Sequence, residues 1–186
     1  MSLLRFFECL ATTSGSVALH ESLYTYLIVS TVHVVTLTLF VGTAVMLDLR
    51  LLGLTMRRVP VSEVMARLLP WTVSGFVLMV ASGALLFYAN PAPRYQNIFF
   101  RTKMVMLVLA GVNAWVFHTR VYRSVGQWDS DPIPPSRARW AGGVALVLWV
   151  FVIMSGRMIA YDWFNCAMQP QPAIVNLLAG CVTDSR

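Results

Sequence analysis

The chain has 186 residues, 58% of them hydrophobic and 12% charged, with a mean hydropathy of +0.68. Soluble domains are about half apolar and about a quarter charged. Too little polar surface is left here to cover a water-soluble globule, so lipid must cover part of it. The net charge is +6, from 14 Lys and Arg against 8 Asp and Glu. These cations flank apolar runs, as topology signals do, which argues against nucleic-acid binding.

The first residues do not read as a signal peptide. One Arg precedes a very short apolar stretch that Glu8 interrupts. Leu3, Leu4, Phe6, Phe7 and Leu10 suit a short interfacial helix instead. The first apolar run, residues 23–47, holds no Asp, Glu, Lys or Arg and is long enough to cross a bilayer with some tilt. Residues 62–69 then read as an amphipathic turn or two at the interface. A second span is expected at about 71–88, with Pro70 in its first turn. A third is expected at about 99–118, with Arg101 and Lys103 able to snorkel at its entrance. The fourth is expected at about 140–161, interrupted only by Arg157. The strings NPAP (residues 90–93) and DSDPIPP (residues 129–135) break the chain between spans. Residues 162–186 remain as a cap segment.

The expected fold is therefore all-α: a four-helix transmembrane bundle, a single integral membrane domain with both termini on one side. Loops one and three carry Arg50, Arg57, Arg58, Arg67, Arg120, Arg123, Arg137 and Arg139. The other side carries Arg5, Arg94, Arg101, Lys103, Arg157 and Arg186, of which the first and last lie far from span ends. The bias places loops one and three in the cytoplasm and the termini in a periplasm-like space. Cys9, Cys166 and Cys181 all fall on that outer side, where disulfides are permitted. Compartment favours a Cys166–Cys181 bridge closing a stapled cap, against two unlinked small residues.

Of the three histidines, His33 lies inside span one, on a face with Leu37, Phe40, Ala44, Leu47 and Leu51 at helical spacing. A polar ring at that depth should face the bundle interior. His118 lies late in span three, after Asn113 and near Arg120, and His20 precedes span one. Imidazoles on two parallel spans suggest haem b, which helical membrane cytochromes hold between facing histidines. Arg101, Lys103 and Arg157 are placed to meet its propionates, and Gly75, Gly83, Gly111, Gly142 and Gly143 to let a flat ring approach backbone. Depth opposes a simple His33–His118 pair, because the 1.5 Å rise offsets them by roughly 8–13 Å. Met79 and Met154 fall nearer the depth of His33, which makes a His/Met site easier. A bare metal held by His33 and His118, or plain interhelical hydrogen bonds without any cofactor, are the competing readings. Asp48 and Arg50 either join Asn113, His118 and Arg120 in a polar network or anchor the end of span one at the interface. Arg157 and Asp162 bracket the end of span four and read as a mutual pair. Tyr24, Tyr26, Trp71, Tyr88, Trp140 and Tyr161 fit interfacial aromatic belts. There is no phosphate-binding glycine loop, CxxC, HExxH or Gly-x-Ser-x-Gly elbow.

Beyond His33, the strings FVGTAVMLDLRLLGL (residues 40–54), PWTVSGF (70–76), NAWVFH (113–118), GRMIAY (156–161) and DWFNC with a closing AGC (162–166 and 179–181) resemble a family of small bacterial membrane proteins with no assigned function. The resemblance runs nearly the whole length. It implies four helices in the bacterial inner membrane, and a more distant similarity in layout to copper-resistance D-type proteins and to haem-binding cytochrome b subunits. It points to His33, Asp48, Arg50, Asn113, His118, Arg157, Cys166 and Cys181 and gives none a role. His20 lies outside the matched strings.

These observations lead to an expected membrane-embedded redox or metal-handling subunit, surrounded by lipid and not an enzyme by itself. Its cofactor would be haem b, or else an unknown metal or none. The alternatives are a non-catalytic anchor or assembly partner of a periplasmic or membrane protein, and a small transporter using Asp48, Arg50 and His118. A transporter of four spans implies a homo-oligomer.

Overall fold

A computed structural model describes residues 3–161, 164, 166 and 169–181. The order is α1 Leu3–Ala11, α2 Ser14–Glu21, α3 Leu23–Leu51, α4 Val61–Ala89, α5 Pro91–Tyr95, α6 Ile98–Val116, α7 Ser136–Met158 and α8 Ala173–Ala179. A π-turn, Phe117–Val121, and a 3₁₀ helix, Tyr122–Gln127, extend α6. Among the described residues there is no strand. The fold is the expected all-α four-helix bundle, and the chain is a multi-pass membrane protein. Four helices, α3, α4, α6 with its extension, and α7, are long and apolar enough to cross a bilayer. In their most apolar windows only 17–28% of residues are buried inside the chain. A soluble bundle would hide far more of such a surface, so these helices are solvated by lipid.

α3 packs on α4 and α7, and α6 packs on α7. Two glycines make the contacts of α3 close. A Cβ on Gly75 would sit 3.0 Å from the Phe40 nitrogen, and one on Gly142 would sit 2.8 Å from the Asp48 carbonyl oxygen. Small residues at such points let backbones approach where no hydrophobic driving force exists between helices in lipid. Phe40 fills the space beside them, 5.3 Å from Phe76 and 5.1 Å from Trp149 between ring centres.

The second span differs from expectation at its start. Residues 62–69 are not a separate interfacial turn but the first turns of α4, and Pro70 lies inside that helix. The reason is a cap supplied from another loop. Asp129 Oδ1 accepts the Ser62 amide at 2.7 Å, Oδ2 accepts the Ser62 hydroxyl at 2.5 Å, and the Asp129 carbonyl accepts the Val61 amide at 3.1 Å. These bonds satisfy orphan donors at the helix start and set a negative charge against its dipole. The third span ends its regular helix at Val116, and the fourth begins at Ser136 and ends at Met158.

Bonds from Ser62, above all its hydroxyl, hold the Asp129 carboxyl below the ordinary carboxylate range, and Arg50 adds to this. A lowered folded pKa means stability that is complete above the unfolded value, near 4, and lost as pH falls through the folded one. Asp129→Asn should therefore cost about 1 kcal/mol at pH 7. The gap to the wild type should close as pH is lowered through the folded value. Thermal unfolding of the detergent-solubilised protein across that range measures both, and a constant gap would contradict the assignment.

At the same face Leu51, Val61, Phe117, Val121, Trp128 and Ala138 form a buried cluster. At the opposite face α1 and α2 lie against the end of α4. Phe7 packs on Phe87 and Tyr95, Ser16 donates to the Tyr88 carbonyl at 2.7 Å, and Thr13 shares a 2.8 Å bond with the Tyr88 hydroxyl. Leu3 and Phe6 remain exposed, as expected for an interfacial helix. Cys166 and Cys181 are joined by a disulfide, and Cys9 is free. The cap is tied to α6 through Arg101, whose Nη1 donates to the Leu178 carbonyl at 2.6 Å.

Candidate functional site

His33 turns toward α4. Its Nδ1 lies 3.1 Å from the Met79 carbonyl oxygen and 3.0 Å from the Ser82 hydroxyl. Ser82 donates its own proton back along the helix, 2.7 Å from the Leu78 carbonyl. A carbonyl oxygen only accepts, so this arrangement assigns the proton to Nδ1 and leaves Nε2 with a lone pair. The ring rests against Gly83, where a Cβ would come 3.1 Å from Cε1. Lys103, from α6, lies within electrostatic reach of His33. Its Nζ is 3.7 Å from the place a Cβ on Gly156 of α7 would occupy. α3 and α4 thus form one polar locus inside the bundle, with Lys103 of α6 near it. Among the described residues, no hydrogen bond or ion pair engages the Lys103 ammonium.

The other expected site residues are elsewhere. His118 is exposed in the π-turn and stacks on Tyr122, 5.6 Å between ring centres. It shares no partner with His33. Met79 is buried, 3% exposed, beside the His33 bond, whereas Met154 is 57% exposed on the outer surface of α7. Arg101 is engaged by the Tyr95 carbonyl at 2.8 Å, by Leu178, and by the Tyr95 ring. Arg157 reaches the Tyr161 hydroxyl at 3.2 Å and lies over its ring. Asp162 lies outside the described residues. Of the five glycines read as making room for a ring, Gly83 alone touches His33. Gly75 and Gly142 seat helices, Gly143 has only a 3.8 Å neighbour, and Gly111 faces open space.

The residues read as a polar network do not form one track. Asp48 accepts a 3.0 Å bond from Trp149 Nε1. Asn113 donates to the Ala141 carbonyl at 3.0 Å, and Arg120 is exposed. Arg50 is not an interfacial anchor but the largest of the fully buried side chains, 1% exposed. Its Nε donates to the Val59 carbonyl at 3.0 Å and its Nη2 to the Asp131 carbonyl at 3.2 Å. It therefore ties the α3–α4 loop to the loop before α7. Sequence reasoning missed this hub, along with Ser82 and the Asp129 cap. The only available signal was an Arg within helical register of a buried face.

Residues 7–162 match the model of a family of unknown function (DUF6644). No curated protein and no solved structure matches the chain.

Proposed function

The chain belongs to the DUF6644 family, and from the locus around His33 we propose a membrane-embedded redox or metal-handling subunit in which His33 would hold haem b through Nε2. The observation that carries this is the Nδ1–H bond to the Met79 carbonyl. Ligating histidines are oriented by such a bond, which fixes the tautomer and makes the other nitrogen more basic. A bare metal needs three or four protein ligands. Among the described residues no group of three or more His, Cys, Asp and Glu comes together. Haem brings its own ring nitrogens and asks the protein for axial ligands only, so a single oriented imidazole suits it better. Lys103 is the residue that would meet a propionate. When bound, the haem would supply one-electron transfer. Ser82 and Met79 orient the imidazole, Gly83 leaves it room, and the lipid-facing walls keep water away.

The proposed setting is the bacterial inner membrane, with the α3–α4 and α6–α7 loops in the cytoplasm and the stapled cap in the periplasm. The Lys and Arg distribution and the disulfide support that direction.

Absorption spectra and metal analysis of detergent-extracted protein test the proposal. A Soret band is expected in the wild type and in His118→Ala. It should fall at least about tenfold per protein in His33→Ala. A wild type with neither a Soret band nor stoichiometric metal would end the reading. If that colourless protein carried a periplasmic partner, it would favour an anchoring role. The observation behind that second reading is the cap, where Ile174, Leu177 and Leu178 are 66%, 80% and 52% exposed.

A further inference from the structure

The seam between α6 and α7 holds two adjoining cavities near the α8 cap. The larger one, open toward the lipid-facing surface, has a volume of about 360 Å³ and is lined by Phe99, Thr102, Phe151, Met154 and Met158. The second, about 160 Å³, is lined by Asn90, Arg94, Asn97 and the Ile159–Ala160 backbone region. They are lined by neighbouring residues: Ile98 lines the first and Asn97 the second, and Met158 and Ile159 divide in the same way. The first lies within the apolar spans, and the second lies where α5 and the end of α7 meet the interface. An apolar slot thus lies next to a polar, basic one along the chain.

Arg94 is half-buried in the upper cavity. Its one bond among the described residues is long, 3.5 Å from Nη1 to the Ile159 carbonyl. The other donors of its planar fork suit a phosphate, which guanidinium binds through paired hydrogen bonds. Arg101 and Arg157 stand at the same end of the bundle. The field there disfavours a headgroup that carries an ammonium.

We propose that this seam binds one anionic glycerophospholipid, its phosphate at Arg94 and an acyl chain in the slot between Phe99, Thr102 and Met154. The site is separate from the His33 locus and does not depend on haem.

Native mass spectrometry of the full chain in detergent tests it, with phosphatidylglycerol and phosphatidylethanolamine of identical chains as probes. One phosphatidylglycerol per chain should be retained in preference to phosphatidylethanolamine. Arg94→Gln should reduce that preference about fivefold, the effect of one interfacial cation on an anionic lipid. Thr102→Phe fills the slot and should lower retention of both lipids while helicity and the melting temperature hold. Equal retention of the two lipids by the wild type overturns the proposal. So does an unchanged preference in Arg94→Gln, or unchanged retention in a folded Thr102→Phe.

Discussion

Arg50→Ala is expected to lower the stability of the detergent-solubilised protein by about 4 kcal/mol. A hydrogen bond from a charged donor contributes about 1.5–3 kcal/mol. Here two carbonyls, of Val59 and Asp131, lose theirs at once. The removed side chain, 1% exposed, also leaves a cavity, which adds to the loss. Burial of the guanidinium is not free in the wild type, since Nη1 is the buried side-chain nitrogen without a partner among the described residues. Arg50→Lys should recover only part of the loss, because one ammonium cannot reproduce the two-pronged span. Thermal melts followed by circular dichroism measure both variants. A midpoint for Arg50→Ala within a degree or two of the wild type would show that the two loops hold without it.

The second large effect is at the crossing of α3 and α7. Gly142→Val should destabilise by about 3 kcal/mol, at the upper end for overpacking. Even a Cβ there would meet the Asp48 carbonyl at 2.8 Å and Leu51 Cβ at 3.1 Å. Backbone cannot yield as a flexible side chain does, so the helices must separate, and the Trp149–Asp48 bond spanning them must stretch. Gly111→Ala is the control. Nothing lies within 4 Å of its Cβ, so it should be neutral or slightly stabilising. If the two variants melted alike, the close approach of α3 and α7 would be wrong.

The four spans were legible because lipid imposes one rule on every spanning segment: apolar side chains outside and backbone bonds satisfied within the helix. The same rule placed His33 inward, and the Cys166–Cys181 bridge followed from compartment alone. What composition cannot carry is the identity of partners that are backbone atoms. The acceptors of Arg50 and His33 are carbonyls of Val59, Asp131 and Met79, and every residue type has one. The start of α4 was misplaced for a related reason, since Asp129 caps it from far along the chain. His118 looked equivalent to His33 because both are imidazoles in apolar runs. The π-turn at Phe117–Val121 changes the direction of the helix face and leaves His118 outside.

The Arg50 tie also has a bearing on how the protein is made. Its second acceptor lies 81 residues downstream, and the cap of α4 lies 67 residues beyond Ser62 at the helix start. When α3 and α4 first emerge from the ribosome, a guanidinium and a helix terminus therefore await partners not yet synthesised. The leading helical hairpin thus has its own long interface but leaves one buried cation and one helix end to be completed by the later pair.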